Sequence, residues 1–106
     1  MDMEKFTTKA SQAIQDAATQ ANKNDNSTLE AVHLSVALVQ QENGMVGTIL
    51  EHIEAQPTLI RAELEKEVSR LPRVTGDGAQ LHPSPNLARI LAKAESISQE
   101  LGDTYV

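Results

Sequence analysis

Phe6, Ala10, Ala13, Ile14, Ala17, Ala18 and Ala21 recur at the spacing of one helix face, and most of them are alanine. A stripe this shallow lets a second helix approach closely. It leaves little for a sheet to grip, because sheets favour β-branched and aromatic side chains. Aromatic residues make up only 2% of the chain, against 40% apolar residues in all. The core must therefore come from Leu, Ile, Val and Ala, and the expected class is all-α. Thr7 reads as the N-cap of this first helix. Lys9, Gln12, Asp16 and Gln20 lie on its opposite face, and the polar run "NKNDNST" ends it.

Four more helices follow from the same reading. Thr28 is a candidate cap for the second, with Glu30 in its first turn, favourably placed against the helix dipole. Its body, "AVHLSVALV", is apolar nearly all round, which predicts burial on most sides. "QENG" stops it, and Val46, Ile49, Leu50 and Ile53 mark a short third helix. Pro57 suits the first turn of a fourth, striped by Ile60, Leu64, Val68 and Leu71, with Arg61, Glu65 and Lys66 on a solvated face. Residues 71 to 85, "LPRVTGDGAQLHPSP", read as a loop. Ser84 then caps a fifth helix with Pro85 at its first position, and Leu87, Ile90, Leu91, Ala94, Ile97 and Leu101 share one face. Gly102 suits the position just past a helix end, where positive φ costs glycine little, and Asp103-Thr104 reads as a turn. No segment shows the strict alternation of a half-buried strand.

Charge and composition exclude several functions. The net charge of -6 repels a phosphate backbone, so no nucleic-acid partner is expected. There is no cysteine, hence no disulfide and no thiolate metal site. No apolar run reaches membrane-spanning length, and "MDMEKF" lacks the apolar region of a secretory signal. His33, His52 and His82 have no i, i+4 spacing, so no metal site is expected. His33 is expected to pack or cap at the start of the buried helix. "TGDG" at 75–78 lacks the Lys-Ser/Thr of a phosphate-binding loop. Nothing in the pattern argues for an enzyme.

The first and fifth helices are related by a shift of 77 positions. It carries Thr7 onto Ser84, Ala10 onto Leu87, Ala13 onto Ile90, Ile14 onto Leu91 and Ala17 onto Ala94. Both helices start at a hydroxyl cap and share an apolar phase. Any two amphipathic helices overlay to some extent, so periodicity by itself leaves a true repeat open.

"EKFTTKASQAIQDAATQA", "VHLSVALVQQENGMVGTIL", "RLPRVTG" and "PSPNLARILAKAESISQELGDTYV" together resemble the opening of Clp-family AAA+ chaperones. His33-Leu34 fits the family's common "EHLL", from which Val32 and Ser35 depart. The "LPRVTG" loop and the later "GD-Y" turn look most like the ClpB-type disaggregases. The resemblance implies a pseudo-repeat fold: residues 1–70 as a complete four-helix repeat, 71–83 as an inter-repeat loop, and 84–106 as the truncated start of a second repeat. It implies capture of exposed apolar segments of unfolded or aggregated client proteins. Thr7, Ala13, Leu87, Ile90, Leu91 and Asp103 are the candidate client-binding residues, with Thr7 and Asp103 near the rim of a shallow groove. Each rim residue also has an ordinary reading, Thr7 as an N-cap and Asp103 as a turn residue. No cofactor is expected in this chain; ATP and Mg would belong to absent ATPase modules. The parent would be a cytoplasmic hexamer working with a DnaK-type co-chaperone system. The rival reading is an adaptor-docking domain of a ClpA- or ClpC-type unfoldase. The acidic net charge predicts a preference for neutral-to-basic client segments.

Overall fold

The computed structural model describes residues 6–41, 44–73, 81–103 and 105–106. The chain runs α1 (Thr8–Lys23), β1 (Thr28–Leu29), α2 (Ala31–Gln40), α3 (Met45–His52), α4 (Pro57–Ser69), β2 (His82–Pro83) and α5 (Pro85–Glu100). The "TGDG" stretch and Thr104 lie outside the described residues.

The helix α2 is the hub. It packs against α1 on one side and α4 on another, and also meets α3 and α5. None of its ten residues is exposed, as its all-round apolar sequence requires. The alanine stripe explains the close partnership of α1 with α2: Ala13, Ala17 and Ala21 are fully covered. Ile14, Leu29, Ala37, Leu87 and Leu91 complete the same core with Phe6. On α4, Val68 is buried, and Ile60 and Leu64 are half-buried. Its outer face carries exposed ion pairs, Arg61 with Glu65 at 3.0 Å and Lys66 with Glu63 at 3.4 Å. Such exposed pairs are each worth only a few tenths of a kcal/mol, roughly 0.3–0.5.

Two local features differ from the sequence reading. Thr28 does not cap α2; Glu30 occupies the N-cap position. Thr28 instead sits in β1, which pairs in parallel with β2, Thr28 opposite His82 and Leu29 opposite Pro83. Two-residue strands carry no periodicity, so the alternation test could not reveal them.

The 77-residue shift reappears in the backbone hydrogen bonds. Thr7 Oγ1 accepts from Ala10 N at 3.1 Å, and Ser84 Oγ accepts from Leu87 N at 3.1 Å. Past α1, Asp25 N donates to Asn22 O at 3.1 Å and Asn26 N to Ala21 O at 2.9 Å. Past α5, Gly102 N donates to Gln99 O at 3.1 Å and Asp103 N to Ser98 O at 2.8 Å. Both ends are Schellman caps, with Asp25 at φ 57° and Gly102 at φ 78°. The copies also exchange bonds reciprocally. Ser84 N donates to Leu29 O at 2.8 Å, and its image under the shift, Thr7 N to Val106 O, is 3.1 Å. Each copy's segment after its helix is thus clamped to the residue that opens the other copy's helix.

A third Schellman cap closes α3. Ala55 N reaches Leu50 O at 2.9 Å while Glu54 holds φ 61°. Left-handed backbone crowds the Cβ of glutamate, and glycine removes that crowding. Glu54→Gly is expected to stabilise the domain by about 0.5–1 kcal/mol, the relief of strain being partly offset by the entropy of glycine in the unfolded chain. Paired urea unfolding curves check this, as a higher midpoint at unchanged slope.

Candidate functional site

Ser84 and Pro85 start α5, and its apolar stripe is wide enough to divide. Leu87, 1% exposed, and Leu91 turn inward with Ser98. Ile90, at 44%, turns outward with Ile97 and Leu101. Ile90, Ala94 and Ile97 floor a shallow open hollow of about 450 Å³, edged by Arg89 and Lys93. The long stems of such cations cover apolar surface while their charges stay in water. The hollow can therefore take up an apolar side chain and offer its neighbours positive charge.

Thr7 stands before α1 and Asp103 just past α5, and neither lines this hollow. Thr7 holds Ala10 N with its side chain and Val106 O with its backbone N–H, so Val106 lies against the start of α1. Asp103 is exposed, and its N–H completes the α5 cap on Ser98 O. Ala13, Leu87 and Leu91 are placed otherwise than a binding role would need. All three belong to the buried core and present almost no surface to a partner. Spacing put them on the right stripe, but the stripe's inner half is consumed by packing. Nor does α5 lie along α1 as a paired helix; α1 takes α2 as its close partner, and α5 approaches α2. Arg89 and Lys93 were missed by the sequence reading. Their signal was present, since they sit at i and i+4 and so share one row of α5 beside Ile90. Within a Debye length of about 8–10 Å they set positive charge beside Ile90, while Glu95 and Glu100 on the same helix and Asp103 just past it are acidic.

A second cavity of about 300 Å³ lies between α1, α2 and α4, lined by Gln20, Asn24, His33, Arg61 and Arg73 among others. His33 forms its buried base and is held at both nitrogens. Glu30 N donates to Nδ1 at 2.9 Å, so Nε2 carries the proton and donates to Asn26 Oδ1, also 2.9 Å away. Asn26 Nδ2 in turn donates to Pro72 O at 3.0 Å. The ring thus caps α2 and ties it to the end of α1 and to the segment after α4. Burial pushes the His33 pKa below its ordinary 6.5, against a smaller opposite pull from the Glu30 carboxylate. The bond from Glu30 N likewise needs the unprotonated Nδ1. Among the described residues no group of three His, Cys, Asp or Glu is arranged to hold a metal ion. Among them, no helix is long and apolar enough to cross a membrane.

Residues 5–106 match the family described as the Clp repeat N-terminal domain. The chain belongs to that family. The Clp repeat domain is similar to the chaperone protein ClpB of Clostridium tetani, 37% identical over 109 residues that take in 100% of this chain and 13% of the relative. The ClpB of Bdellovibrio bacteriovorus is also 37% identical, over 95% of this chain and 12% of its own length. The Clp repeat domain thus spans about an eighth of these relatives. Its fold is shared with the Hsp104 N-terminal domain from Candida albicans, at TM-score 0.86 and 23% identity, covering 95% of this chain and 66% of that one. It is shared too with the N-terminal domain of the ClpV1 ATPase from E. coli, at TM-score 0.87 and 16% identity, covering 98% and 63%. The helical architecture read from the sequence is that of these N-terminal domains.

Proposed function

We propose that this Clp repeat domain captures exposed apolar segments of unfolded or aggregated proteins for a ClpB-type, ATP-driven disaggregase. The observation that carries the reading is the outward half of α5, where Ile97 and Leu101 stand exposed. Apolar client groups would gain roughly 25 cal/mol per Å² buried there, and ordering an unfolded segment would cancel much of that gain. Capture is therefore weak and reversible, which suits a domain that hands its client on. In a longer parent, the 77-residue relation would place a counterpart of α2 over Ile90 and Ala94, as α2 covers Ala13 and Ala17. Ile97, Leu101 and the Thr7–Asp103 edge would then form the capture surface. The parent would act as a cytoplasmic hexamer beside a DnaK-type system, with ATP and Mg in its ATPase modules. Several tethered domains would then raise the effective concentration of weak sites.

Ile97→Gln is expected to weaken binding of a permanently unfolded, cysteine-blocked client by about fivefold, the worth of one partly buried apolar side chain. Asp103→Ala should weaken it in the same direction. Fluorescence anisotropy titrations read the affinity, and helical circular dichroism shows that both variants remain folded. Unchanged affinity in both would remove α5 and its C-terminal turn from the site.

A further inference from the structure

The segment after α4 brings an unspent cation to the cavity between α1, α2 and α4. On α4 and just past it, Arg61 pairs with Glu65, Lys66 with Glu63 and Arg70 with Glu67. Arg73 lines the cavity and has no ion-pair partner among the described residues. Its backbone is fixed where it stands. Arg73 forms an antiparallel bridge with Asn26, whose side chain holds Pro72 O at 3.0 Å and meets His33 Nε2 at 2.9 Å. The buried His33 network therefore sets the point from which the Arg73 side chain reaches the cavity. Three helices supply the rest of the wall. Gln20 and Asn24 stand at i and i+4 at the end of α1, Gln40 at the last position of α2, and Arg61 and Glu65 at i and i+4 on α4. The side-chain amides of Gln20, Asn24 and Gln40 make no hydrogen bond to another described residue. At about 300 Å³ the cavity is at the small end of ligand sites, and it suits a short polar group rather than a long apolar segment.

We infer that this cavity binds a carboxylate flanked by a peptide amide, at a place separate from the α5 surface. Arginine presents a planar fork that matches a carboxylate with two parallel hydrogen bonds, and Arg73 has that fork unspent. The amides of Gln20, Asn24 and Gln40 each offer both donor and acceptor, which is the complement of a peptide unit. The charge balance selects a single negative charge. Arg61 and Arg73 against Glu65, with His33 neutral, leave the wall with one net positive charge. A phosphate dianion would face the Glu65 carboxylate in a domain of net charge -6. A free chain end and a Glu side chain both carry a carboxylate close to a peptide amide.

The test is a set of titrations of the isotope-labelled chain followed by backbone amide NMR. The probes are N-acetyl-Ala-Ala with a free C-terminus, the same dipeptide with an amidated C-terminus, N-acetyl-Glu amide, and inorganic phosphate. The expected result is saturable shifts confined to residues 20–24, 33–40 and 61–73 with a carboxylate probe, and none with the amidated dipeptide. The tighter of the two carboxylate probes assigns the source to a chain end or to a side chain. Phosphate should bind more weakly than that probe. Arg73→Gln should weaken carboxylate binding by at least about tenfold and Arg73→Lys by less, while Ile97→Gln leaves it unchanged. The Arg73 side chain is exposed and its bridge to Asn26 is made by backbone, so helical circular dichroism should be unaltered in Arg73→Gln. Gln20→Ala, expected to weaken binding about threefold, is the second variant if it is not. Equal binding of the amidated dipeptide would overturn the inference, as would tighter binding of phosphate, no saturable shift with either carboxylate probe, or unchanged affinity in the Arg73 and Gln20 variants. Shifts centred on α5 and lost with Ile97→Gln would overturn it while leaving the capture surface standing.

Discussion

Replacing His33 by leucine is expected to destabilise the domain by about 2–4 kcal/mol, although leucine is apolar and the site is buried. The loss comes from the partners left behind. Glu30 N loses its acceptor and Asn26 Oδ1 its donor, and both groups lie in or beside the core. An unpaired buried polar group costs about 1–3 kcal/mol, which added apolar contact only partly offsets. His33→Gln should cost less, because glutamine at the third helical position can still reach back to the N-cap N–H. Urea midpoints for the three proteins check the order: wild type, then Gln, then Leu.

The same ring makes stability depend on pH. Burial holds the His33 pKa below 6.5 in the folded domain, so the unfolded chain binds a proton more readily than the folded one. The contribution of neutral His33 is therefore complete above about 6.5 and is lost as pH falls from there through the lower folded value. Wild type should lose stability between neutral pH and mild acid, and His33→Gln should lose less over the same window. Midpoints measured at several pH values across it give the comparison; parallel curves would contradict the role given to His33.

Leu87→Ala is the second large effect. Leu87 is fully buried in the first turn of α5, and truncation leaves a cavity where α5 meets the core. A loss of about 3 kcal/mol is expected, which for a domain of this size lowers Tm by roughly 10–20 °C. Ile97→Ala, one face over and exposed, should cost about 1 kcal/mol or less. Equal losses at the two positions would mean that α5 is turned otherwise than described.

How much of this was legible depended on the kind of signal. Thr7 and Ser84 were readable as caps because a hydroxyl before an apolar run has one common use there. Gly102 was readable because glycine suits positive φ. Asp25 and Glu54 adopt the same left-handed backbone without announcing it, since neither is glycine. Glu30 and His33 form their cap with an imidazole in the place usually taken by Glu or Gln, and Thr28 looked the better candidate. At the site, periodicity placed Leu87, Ile90 and Leu91 on a single stripe. Which of them would be covered depended on where α2 and α1 lie, and no spacing within α5 encodes that. The exposed side of α3 was hidden for the same reason, because Ile49 and Ile53 look like core residues until the neighbouring elements are in place.

Client capture is tested most directly by one small disulfide-bonded protein offered to this chain in two forms: native, and reduced with its cysteines blocked so that it stays unfolded. The two forms share a sequence and differ in exposed apolar surface. Anisotropy titrations should give saturable, weak binding of the unfolded form, reduced about fivefold by Ile97→Gln, and no binding of the native form. Equal affinity for both forms would contradict the account.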